Sequence, residues 1–123
     1  MSDFGINEML DMQKALQEKY KDKWEHISPE VGKNKLLWMI GEVGEVIDIV
    51  KKHGPQAADK DNPERDHLIE EMADVLMYYN DVLLCYGITA DELKECNSRN
   101  MLGLYFFVFF SILTLSKCFS QSQ

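Results

Sequence analysis

The chain has 123 residues, 46% hydrophobic and 28% charged, with seven Gly and three Pro, enough for one domain with a real core but short of two. A formal net charge of −8 makes it a poor electrostatic partner for DNA or RNA, which need clustered Lys and Arg. It also repels any free polyphosphate, so a nucleotide would need a cation between it and the protein.

Cys85, Cys96 and Cys118 form no C-x-x-C or Cys/His set, which argues against zinc and against a disulfide framework. They read as packing residues in a reducing, cytoplasmic setting. The N-terminal stretch MSDFGINEML carries acids and no apolar run, so it is not a signal peptide.

A first helix is expected over about residues 7–24, capped by Asn7, with Met9, Met12, Leu16 and Tyr20 at helical spacing. Ser28-Pro29 supplies a cap followed by a proline, opening a second helix that runs to about Lys52. His53-Gly54-Pro55 stops it, because proline cannot continue the hydrogen-bond ladder and glycine suits a helix end. Gln56 to Asn62 reads as a polar loop. Asn62-Pro63 starts a third helix that ends at Tyr86, before Gly87. Thr89-x-x-Glu92 is a capping-box pattern and begins a fourth. His26 and His53 fall by helix ends and read as surface residues.

The second helix has an apolar row at Leu36, Ile40, Val43, Ile47 and Val50, and the third at Leu68, Met72, Val75, Tyr79, Val82 and Tyr86. Each is expected to face the core. Two acidic pairs run along their borders, Glu42-x-x-Glu45 and Glu71-x-x-Asp74. Residues three apart stack on one helix face, so an antiparallel pairing of the two helices brings four carboxylates together at the rim of the core. One such pair is common on a solvated helix, but two beside apolar rows on neighbouring helices are not. Converging, partly buried carboxylates repel one another unless a cation joins them. Oxygen-only ligation suits magnesium or manganese.

The segments LLWMIGEVGEVIDIVKK and LIEEMADVLMYYNDVL resemble the MazG-like branch of the all-alpha nucleoside triphosphate pyrophosphatases, whose signature is E-x-x-E, a spacer, then E-x-x-D. Here 25 residues separate Glu45 from Glu71, within the family's range. The resemblance implies an all-α fold with a four-helix core bundle, assembled as a dimer or tetramer. It also implies magnesium-dependent hydrolysis of a nucleoside triphosphate to monophosphate and pyrophosphate, in the manner of a nucleotide-pool house-cleaning enzyme. By position, Glu42, Glu45, Glu71 and Asp74 would hold the metal, and Glu45 would orient or deprotonate the attacking water. Tyr78 occupies a place where some relatives present an aromatic near the nucleotide. Trp38, one turn before Glu42, is the expected base or sugar contact, and Lys35, Lys51 and Lys52 the expected phosphate partners.

The resemblance weakens after residue 100. Relatives often finish the fourth helix with a K-x-x-x-N-x-x-R ending, whereas Lys94, Asn97, Arg99 and Asn100 are out of that register. All 21 acidic residues lie at or before Glu95, and Lys117 is the single charge beyond Asn100. A helical domain over 1–100 is therefore expected, with an atypical apolar tail over 101–123. The run MLGLYFFVFFSILTL would span roughly 22 Å as a helix, short of the roughly 30 Å hydrocarbon core. A membrane is not the expected partner. Burial against the bundle or another subunit, an altered terminus, and a tail anchor are the readings of this run. A di-iron bundle needs E-x-x-H on two helices, and only Glu64-x-x-His67 fits. The remaining alternative is a non-catalytic interaction module, or an inactive family member.

Overall fold

The computed structural model describes residues 4–120, with no strand among them. Four α-helices follow one another: α1 (Ile6–Lys19), α2 (Gly32–His53), α3 (Arg65–Cys85) and α4 (Ala90–Ser120). Single 3₁₀ turns lie at Pro29–Val31 and Gly54–Ala58. The protein is all-α, and it divides into two units, Met1–Ile88 and Thr89–Gln123.

Helix ends follow local chemistry, with shifts of a few residues. α1 starts after Gly5 without a side-chain cap, so Asn7 lies inside the helix rather than at its cap. It stops at Lys19, and Tyr20 turns the chain instead of extending the helix to residue 24. Pro29 opens a 3₁₀ turn, and α2 follows from Gly32. Gly54, at φ 55°, closes α2. Part of the expected polar loop is the 3₁₀ turn Gly54–Ala58, pinned where Asn62 Nδ2 donates to the Gln56 carbonyl at 2.9 Å.

α3 ends in a Schellman arrangement. Gly87 takes φ 62°, its N–H meets the Leu84 carbonyl at 3.2 Å, and the Ile88 N–H reaches the Leu83 carbonyl at 2.9 Å. In the second unit the capping box forms as spelled. The Glu92 N–H donates to Thr89 Oγ1 at 3.2 Å, and Glu92 Oε2 accepts from the Thr89 N–H at 2.8 Å. The bonds its carboxylate accepts from the Thr89 N–H and, second, from the Thr89 hydroxyl hold the Glu92 carboxyl below its ordinary range. No helix among the described residues is long and apolar enough to cross a membrane. Of the apolar run, the side chains of Tyr105 and of Val108 onward, Cys118 included, lie outside the described residues.

Within the first unit α2 packs mainly on α3, and α1 also packs on α3. Lys35 meets Asp81, Trp38 meets Tyr78, and Glu42 meets Asp74. Numbers on α2 rise as their partners on α3 fall, which makes the pair antiparallel.

The side of α2 that is turned inward is not the expected one. Buried or half-buried positions recur at Gly32, Lys35, Met39, Glu42, Val46, Ile49 and His53, spaced alternately three and four apart. The row read as core-facing, Leu36, Ile40, Val43, Ile47 and Val50, is exposed, Ile40 by 62%. On α3 Leu68, Val75 and Val82 are half-buried, while Met72, Tyr79 and Tyr86 are exposed. Both stripes exist. What differs is the face α2 turns to α3, because the contact seam is built around a buried polar cluster.

Candidate active site

The centre of that cluster is Asp81, 1% exposed. Its Oδ1 accepts from Gln13 Nε2 at 2.6 Å and Gln17 Nε2 at 2.8 Å, and its Oδ2 pairs with Lys35 Nζ at 3.1 Å. One carboxylate thus ties α1, α2 and α3 together, with its desolvation offset by an ammonium and two amide donors. Cys85, one turn on, is a buried free thiol whose pKa is pushed up by desolvation.

Two turns from Asp81 along the same seam lie Glu42, Glu71 and Asp74. One carboxylate oxygen from each falls within 4.8 Å of the others, and all three residues are half-buried. Desolvation, then the charges of Asp74 and Glu71, a shared hydrogen bond with Glu71 and the charge of Glu45 hold the Glu42 carboxyl above its ordinary value. The three carboxylates repel one another, and a proton on Glu42 relieves the repulsion. His67 Nε2 lies 3.0 Å from Glu71 Oε1, and its Nδ1 is 3.3 Å from Glu64 Oε2. The imidazole is held protonated to higher pH than usual, Glu64 contributing most.

Three half-buried carboxylates fit a hard divalent cation, and the nearby nitrogen, His67 Nε2, is already paired with Glu71. Glu45 is exposed on the next turn and stands outside the close group of three, although its charge reaches Glu42.

A groove of about 870 Å³ adjoins this group. Trp38 and Tyr78 line it with their rings nearly parallel, 16° apart at 6.4 Å between centroids. Tyr78 connects groove and acids, because desolvation and then the charges of Glu42, Asp74 and Asp81 raise its phenol pKa. Lys35 lines the groove but is 7% exposed and committed to Asp81. Lys51 pairs with Asp48 at 3.7 Å on the solvent side of α2, and Lys52 is exposed.

Sequence reasoning passed over Trp24, Asn34, Gly41, Met77 and Asp81, which also line the groove. A signal existed for two of them. The chain has two tryptophans, and both are in this groove. Asp81 lies seven residues after Asp74 as Lys35 lies seven before Glu42, the register of an antiparallel ion pair.

The sequence model of the MazG nucleotide pyrophosphohydrolase domain matches residues 31–96. The chain belongs to the MazG nucleotide pyrophosphohydrolase family. The matched span contains α2 and α3 entire, and with them the carboxylate group and its MazG signature. No curated protein and no solved structure matches the chain.

Proposed function

We propose that this MazG-family chain hydrolyses nucleoside triphosphates, a deoxynucleotide or a non-canonical one, to monophosphate and pyrophosphate in a magnesium-dependent reaction that cleanses the nucleotide pool. The observation that carries this reading is the convergence of Glu42, Glu71 and Asp74 beside an aromatic groove. Those three carboxylates, with Glu45 from the next turn, are the metal ligands. A magnesium or manganese ion bound there supplies Lewis acidity at the α-phosphate and charge relief for the departing pyrophosphate.

The chain's own residues do the rest. Trp38 and Tyr78 offer flat apolar surface to the base or sugar. Glu45, being exposed, is free to orient a water or take its proton. Lys35, Lys51 and Lys52 are the basic groups for the polyphosphate, with Lys35 acting from the groove floor where Asp81 holds it. Residues 1–100 form the catalytic domain, residues 101–123 an apolar addition, and the chain works in the cytoplasm. The exposed apolar row of α2, with Ile69, Met72 and Leu76 on α3, is the kind of surface that a partner subunit buries, which supports assembly as a homodimer or homotetramer.

The test is pyrophosphate release from a panel of canonical and damaged nucleoside triphosphates, with and without magnesium. Glu45→Gln and Glu71→Gln should each abolish release while circular dichroism still reports a helical protein. Full activity in both variants would end the proposal.

A further inference from the structure

Gly41 sits in the middle of α2, where glycine is the least favourable residue after proline. Nothing in the first unit explains it by packing. A Cβ built on Gly41 meets no atom within 4 Å, and its φ is not positive. Gly32 on the same helix is different, since the ring of Tyr86 lies against the place its Cβ would take.

Gly41 does line the groove, together with Trp38 and Tyr78, and it immediately precedes Glu42. Gly41 therefore leaves a bare stretch of helix beside both the aromatic pair and the first of the carboxylates. A nucleoside triphosphate has the same order, with an aromatic base at one end, charged phosphates at the other and a sugar between. With the base at Trp38 and Tyr78 and the polyphosphate at the acids, the sugar crosses Gly41.

We propose that Gly41 is a substrate-binding position, where a missing side chain makes room for the sugar of the nucleotide against the helix backbone. This rests on the triphosphate reading above. It adds that stability and binding are opposed at this position. Alanine improves the helix, yet its methyl group occupies volume the substrate needs.

The experiment uses the full chain and its two tryptophans, Trp24 and Trp38, both in the groove. Their fluorescence is titrated with α,β-methylene analogues of the ribo- and deoxynucleoside triphosphates in magnesium. Gly41→Ala should raise Tm by a few degrees and raise Kd by about tenfold or more for each analogue the wild type binds. Manganese affinity without nucleotide, and sedimentation, should stay as in the wild type. Gly41→Ser serves as a second variant with a side chain of similar size, and should show the same loss of binding.

An unchanged Kd in folded variants overturns the role of Gly41 while leaving the triphosphate reading intact. Loss of manganese affinity, or a changed sedimentation coefficient, also overturns it, because the glycine would then serve the metal or a subunit contact. A wild-type protein that binds none of the analogues removes the triphosphate reading itself, and the role of Gly41 with it.

Discussion

Asp81 shows how much a single side chain is asked to do in the first unit. At 1% exposure it carries a charge where charges are costly, and Lys35, Gln13 and Gln17 satisfy it. Such a pair contributes little net stability against a well-packed apolar replacement, but breaking it leaves an unpaired buried charge. Asp81→Ala should therefore cost about 3–5 kcal/mol in urea unfolding. Adding Lys35→Met should recover part of that loss, since the stranded ammonium is then gone. A double variant no more stable than the single one would show that Lys35 is not stranded.

The pair also fixes part of the groove's lining, two turns from Glu42, Glu71 and Asp74. Its legibility in the sequence was partial. A lysine and an aspartate at matching heptad offsets from the acidic motifs point to each other once the helices are known to be antiparallel, but Gln13 and Gln17 carry no comparable signal. Amide side chains on a helix are ordinary on a solvated face, and their partner lies more than sixty residues away.

At the scale of elements, helix existence and order were legible because glycine, proline and capping residues act locally. Gly87 adopts a left-handed backbone, which costs a residue with a Cβ about 1–2 kcal/mol. Gly87→Ala should destabilise the first unit by that amount in thermal or urea denaturation. An unchanged midpoint would mean that the Schellman turn relaxes without loss. The Thr89–Glu92 box was equally readable, because every atom in it lies within four residues.

The facing of α2 was not readable in the same way. Two parallel rows run along the helix, one apolar (Leu36, Ile40, Val43, Ile47, Val50) and one mixed (Lys35, Met39, Glu42, Val46, Ile49). Periodicity alone ranks the apolar row as the core face. Burial goes to the mixed row, because its Lys35 pairs with the buried Asp81 on α3, and because uncovered apolar side chains can still be buried by another surface.

For the molecule as a whole, the acidic balance of −8 and the half-buried carboxylate group lead to a prediction that stability depends on pH and on divalent cations together. The folded-state pKa of Glu42 is raised above its ordinary value of 4.5. A raised carboxyl stabilises the fold in its protonated form. That contribution is full below about pH 4.5 and is lost as pH rises through the raised value. Without divalent cations, stability should fall over this range, and Glu42→Gln should flatten the fall. Millimolar magnesium should do the same in the wild type, since a ligand that binds the folded state adds about 2.7 kcal/mol at a hundred times its Kd. Urea midpoints measured from pH 4 to 8, with and without magnesium, check both effects. A pH dependence identical in wild type and variant would remove Glu42 as its source.

The sequence by itself determined that this is an all-α chain with four helices in a given order. It also determined that two acidic motifs fall on the second and third of them, and that these motifs spell the MazG signature. All of this is encoded within a few helical turns, where spacing, caps and residue chemistry act directly. Tertiary structure alone decided that Glu42, Glu71 and Asp74 form the close group while Glu45 stays exposed beside it. It also decided that the acids lie in the helix–helix seam, and that both tryptophans share a groove floored by Lys35 and Asp81. Those outcomes depend on the rotation of α2 about its own axis. That rotation is set by long-range partners, whose energies no local pattern contains.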